Sequence, residues 1–163
     1  MKNTLVITMS FLFALILEII PMSWLANWMR PEWVLLVLIY WVMVLPDKVG
    51  VSIAFILGLL MDLIKGSLLG EHALAFVIIA YIIARFCPRI RLLPLMQQMV
   101  VIFLFLFVYQ TFQFWMWSFS GVGIGEAPVT DKGMYWLSSL TSVIIWPLVY
   151  TFLRFYQNRY KVY

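Results

Sequence analysis

The sequence predicts an all-α integral membrane protein: six transmembrane helices in one bundle, a single domain over residues 1–163. Three observations predict it. Hydrophobic residues make up 65% of the chain and charged ones 11%, with a mean hydropathy of +1.01, more apolar surface than a soluble chain of 163 residues buries. The apolar residues come in long runs rather than on one face, and a run of about 20 crosses a bilayer as a helix. Runs such as 34–40 and 100–109 lack the alternation of a membrane barrel strand.

The spans follow from the breaks between runs, at about 5–21, 31–45, 49–64, 72–87, 97–119 and 134–155. The first carries Glu18 and is read as a retained span. No small-x-small cleavage site follows it, and its removal would leave an odd number of spans. The second opens at Arg30-Pro31, where a proline suits a first helical turn because its missing N–H has no partner there. It closes at Pro46-Asp47-Lys48. The third and fourth are short for a bilayer, which suggests thinned lipid or packing against other helices. The fifth is the longest and holds Gln110 and Gln113, expected to hydrogen-bond between helices. The sixth contains Trp146-Pro147, where a kink is expected. Residues 121–133 form the one substantial loop.

Charge sets the expected orientation. With both termini cytoplasmic, the inner segments hold Lys2, Lys48, Arg85, Arg89, Arg91, Arg154, Arg159 and Lys161, and the outer ones Arg30, Lys65 and Lys132. Eight of the eleven basic residues then lie inside. The net charge of +4 therefore speaks for topology and not for nucleic acid, with Arg85, Arg89 and Arg91 as cytoplasmic anchors and the basic C-terminus against the anionic inner leaflet. Trp24, Trp28, Trp33, Trp115, Trp117 and Trp136 are placed as an outer interfacial belt.

The stretch from Gly58 to Leu74 is where the chain stops being plain hydrocarbon. Small residues recur every four positions from Gly50 through Ala54 and Gly58, and the row continues through Asp62, Gly66 and Gly70. On one helix this makes a ridge that another backbone can approach closely. Asp62 on that ridge faces protein rather than lipid, with Lys65 as its nearest partner in sequence. Glu18 either reaches toward water or pairs with Arg30 or Lys65.

Motifs for chemistry are missing from the sequence. The single His72 and single Cys87 assemble neither a zinc site of known spacing nor a Cys-His dyad, and no nucleophile elbow or phosphate-cradling Gly-rich loop occurs. Neither an enzyme nor a cofactor is expected. Ion-coupled carriers place ionisable groups at mid-membrane, whereas the acidic residues here sit near the outer ends of the spans.

Two stretches carry a resemblance: Arg30-Pro31-Glu32-Trp33-Val34-Leu35-Leu36-Val37-Leu38-Ile39-Tyr40-Trp41, and Gly58-x3-Asp62-Leu63-x2-Gly66-x2-Leu69-Gly70-x2-Ala73-Leu74. In this order, with the late Trp146-Pro147 and a basic tail, the chain resembles the rod shape-determining protein MreD family over its whole length. The resemblance implies a bacterial inner-membrane component of the cell-elongation machinery that builds lateral peptidoglycan. It also implies a fold similar to the substrate-binding subunits of energy-coupling-factor transporters. The implied partners are the periplasmic scaffold MreC, the actin-like MreB, RodA and the elongation-specific class B penicillin-binding protein, beside membrane lipid and a possible homodimer. Arg30, Pro31, Trp33, Gly58, Asp62, Gly66 and Gly70 are the expected partner-binding or helix-packing positions. Two functions compete. One is a non-enzymatic scaffold; the other is a small-molecule or lipid-intermediate binding subunit with an outward-facing site near Arg30, Trp33, Asp62 and the 121–133 loop.

Overall fold

The computed structural model describes residues 2–20, 29–120 and 137–160. Within these it contains six helices: α1 Lys2–Ile19, α2 Trp33–Val44, α3 Val51–Lys65, α4 Glu71–Leu92, α5 Leu95–Ser120 and α6 Leu137–Tyr160. Three are long and apolar enough to cross a membrane, namely Glu71–Leu92, Leu95–Met116 and Leu137–Tyr160, while Thr4–Ile19 and Trp33–Val44 are apolar but shorter. Trp24, Trp28, Trp136, Lys132, Lys161, the 121–133 loop and the side chains of Lys2 and Trp117 lie outside the described residues.

The bundle is organised around its shortest helix. α2 has 12 residues, and every one from Val34 through Met43 is buried. At 1.5 Å per residue such a helix is only about 18 Å long, too short for a hydrocarbon core of about 30 Å, and an apolar helix of this length suits a core position. α1, α4 and α6 enclose it. Trp41 hydrogen-bonds through its indole N–H to Ser10 of α1 at 2.8 Å, and the Tyr40 hydroxyl donates to Gln157 of α6 at 2.8 Å. An indole or phenol buried in hydrocarbon needs such a partner.

Two expected boundaries are corrected. The fourth span does not end at Cys87; α4 runs through Pro88 to Leu92. Prolines persist in helices of this kind because neighbouring groups re-satisfy the freed carbonyl, and α6 likewise continues through Pro147. Pro31 is not in the first turn of α2, which begins at Trp33. The Pro31 carbonyl instead accepts the Trp33 N–H at 2.9 Å.

Candidate functional site

The motif residues 58–74 meet at the reversal between α3 and α4, the most extensively packed pair of helices. The close approach rests on Gly58. A Cβ added there would fall onto the Ala73 Cα, 2.6 Å from the Ala73 nitrogen and 2.9 Å from the His72 carbonyl carbon, all backbone atoms that cannot step aside. Ala54, one turn earlier, is fully buried. The ridge expected to run on through Gly66 and Gly70 stops at Lys65, where α3 ends. Both later glycines lie in the turn with positive φ, +64° and +102°, a conformation that any Cβ disfavours. Gly66 caps α3 in the left-handed manner: its N–H and that of Ser67 both return to the Asp62 carbonyl.

Asp62 is 1% exposed and organises this turn. Its Oδ1 accepts the His72 backbone N–H at 2.8 Å and the Ser67 hydroxyl at 3.0 Å, and lies 2.8 Å from His72 Nδ1. Its Oδ2 accepts the Gly70 N–H at 2.7 Å. The first N–H groups of a helix lack intrahelical acceptors, and an anion there is favoured by the helix dipole. Asp62, projecting from α3, therefore caps the start of α4. Since a carboxylate offers only acceptors, the His72 ring proton sits on Nδ1.

Ser67, His72 and Asp62 share a location but not the geometry of a catalytic triad. A triad divides Ser and Asp between the two imidazole nitrogens. Here both face Nδ1, at 3.1 Å for Ser67 and 2.8 Å for Asp62. The rings of Phe76 and Tyr109 pack edgewise around the same histidine.

Lys65 does not pair with Asp62. It bridges Glu18 of α1 at 3.3 Å and Glu32 at the entrance to α2 at 3.2 Å, so one ammonium joins three segments. Arg30 donates to the Leu17 carbonyl at 2.9 Å, near the end of α1. From α6, Ser138 donates to the Arg30 carbonyl, and Ser142 accepts the Glu32 N–H at 3.0 Å. Trp33 is half-buried against the apolar core. Gln110 of α5 makes the expected interhelical bond, accepting from Ser139 of α6. Gln113 instead donates within α5 to the Tyr109 hydroxyl at 3.2 Å. Polar groups from α1, α3, α5 and α6, from the start of α4 and from the entrance to α2 thus gather at one end of the bundle.

The opposite end is built differently. Arg91 of α4 donates to the Met43 carbonyl at 2.9 Å and to the Val44 carbonyl, closing the end of α2. Gln98, 2% exposed, donates to the carbonyls of Ile90 at 3.3 Å and Leu93 at 3.0 Å, closing α4. Sequence reasoning passed over both Ser138/Ser142 and Gln98. A serine pair four apart and a glutamine just after a proline were the available signals.

Residues 1–156 match the family model described as rod shape-determining protein MreD. The chain belongs to the MreD family. It is 33% identical over 157 residues to the rod shape-determining protein MreD of Haemophilus influenzae, covering 93% of this chain and 90% of that protein. No solved structure matches, so the expected likeness to energy-coupling-factor subunits is not supported. With three helices of crossing length, this MreD-family chain is a membrane protein.

Proposed function

We propose that the protein is a non-catalytic scaffold of the rod-shape machinery, in which the six-helix bundle spans the inner membrane with the short α2 enclosed inside it, and both termini are cytoplasmic. Its partners on this reading are an MreC-type periplasmic protein, with MreB, RodA and the elongation-specific penicillin-binding protein in the same complex. The observation that carries the reading is the fate of the motif residues. Arg30, Gly58, Asp62, Gly66 and Gly70 are spent on holding helices together, and both Asp62 oxygens are already bonded within the protein. Such a motif serves a fixed outer surface, presented to partners, better than a reaction centre.

Membrane pull-down of the intact protein beside its Asp62→Ala and Arg30→Ala variants tests this. Recovery of an MreC-type protein by the parent, and its loss in a variant that still inserts, is the expected result. Recovery of no elongation protein by the parent would overturn it.

The small-molecule reading has one observation in its favour. Glu18 Oε2, Arg30 Nε and Gln113 Oε1 are buried without a hydrogen-bond partner among the described residues, and buried polar atoms are seldom left so. Ligand-binding assays comparing the parent with Glu18→Gln address it, and identical behaviour removes Glu18 from such a site.

A further inference from the structure

The corner between α4 and α5 separates three arginines that composition treats alike. Arg91 is consumed internally by the α2 carbonyls. Arg85 and Arg89 are exposed and form no ion pair among the described residues. They stand four apart on α4, opposite the buried face of Ile83, Cys87 and Ile90. Further along the same face lies Leu92, 84% exposed, and just past the turn, at the start of α5, Met96 is 77% exposed. No acidic residue occurs between Glu71 and Glu126, so this stretch carries nothing to neutralise the pair.

We propose that this face seats the headgroup of an anionic phospholipid of the inner leaflet. The proposal rests on the orientation given above. Guanidinium groups match phosphate oxygens in a bidentate way, and a phosphate compensates the two charges that the protein leaves open. Leu92 and Met96 fit the same neighbour, since large apolar side chains beside arginines find their favoured place at a bilayer interface rather than in water. The corner is also held firm before lipid arrives. Gln98 and Arg91 tie α4 to its neighbours, so presenting the two arginines costs little further ordering.

Electron spin resonance of the full-length protein in phosphatidylcholine vesicles, doped with spin-labelled phosphatidylglycerol or spin-labelled phosphatidylcholine, reads the preference directly. A preference for the anionic label is expected in the parent and in Arg154→Gln/Arg159→Gln. It should fall in Arg85→Gln/Arg89→Gln by roughly fivefold per arginine at the site in low salt. An unchanged preference in Arg85→Gln/Arg89→Gln overturns the proposal, as does an equal loss in the C-terminal variant. Loss of the preference together with a lowered melting temperature in Arg85→Gln/Arg89→Gln also counts against it, because the pair would then be structural. Orientation is read separately. Arg89→Cys in a Cys87→Ser background should resist a membrane-impermeant maleimide applied to the outer face of spheroplasts. Labelling from outside overturns the orientation, whatever the vesicles show.

Discussion

Two reversals of the chain solve the same physical problem with opposite chemistry. At the α3–α4 turn the orphaned groups are N–H donors at a helix start, and Asp62 supplies acceptors. At the α4–α5 corner they are carbonyl acceptors at a helix end, and Gln98 supplies donors. The first uses a charged acceptor aligned with the helix dipole, the second a neutral amide. The first also needs two left-handed glycines to pass back within five residues, whereas the second turns at Leu93-Pro94 with extended backbone at Leu93. The polarity of the exposed backbone selects the side chain that closes it. Where water is scarce the closure carries more of the stability, because an unsatisfied backbone group has nothing else to bond.

The comparison is broken most severely at Gly58. Gly58→Leu should abolish the folded state, costing more than about 4 kcal/mol, because the new side chain meets Ala73 backbone. Size-exclusion profiles and thermal unfolding in detergent check it, and a monodisperse variant with parental stability would show that α3 and α4 are not in contact. Asp62→Ala comes next at about 3–5 kcal/mol, since it strands two backbone donors and the His72 ring. Asp62→Asn, which keeps a neutral acceptor, should lose roughly half as much. Equal losses in the two would mean that charge contributes nothing to the cap.

Gln98→Leu should cost about 1–2 kcal/mol, less than Asp62→Ala, because neutral hydrogen bonds are weaker than those to a charge. A larger loss at Gln98 than at Asp62 would invert the comparison. The smallest effect is expected for Gly66→Ala. An added Cβ meets nothing within 4 Å, so only the left-handed backbone is penalised, at about 1–2 kcal/mol. The combined variant Asp62→Ala/Gln98→Leu sharpens the contrast further. The two turns share no hydrogen-bonding partner among the described residues, so their losses should add to within about 0.5 kcal/mol.

Much of the fold was legible in the residues, and the misses have physical causes. The six helices among the described residues follow from six apolar runs separated by Pro, Gly and charge, and Asp62 was expected to face protein because lipid will not solvate a carboxylate. Its partners were not legible. Lys65 lay nearest in sequence, yet it went to Glu18 and Glu32, which are distant in the chain but adjacent in the bundle. The four-residue recurrence of small residues was read as one ridge across 50–70. It conflated two demands: Gly58 answers to a neighbouring backbone, Gly66 and Gly70 to their own dihedral angles. Spacing alone does not distinguish these, since both exclude a side chain. The end of α4 was placed early because Pro88 halts most helices in water but not in a packed apolar setting.

By itself the sequence determined the membrane character, the all-helical class and the location of the polar turn, because these depend on local hydrophobicity and on backbone preferences of individual residues. Only the tertiary structure decided which apolar helix is enclosed. α2 and α5 are both apolar on all sides, yet α2 is buried from Val34 to Met43 while Leu104, Val108 and Trp115 of α5 stand more than half exposed. In water a hydrophobic face must turn inward and so betrays its position. In a bilayer lipid is as apolar as leucine, and the pattern that separates inside from outside disappears.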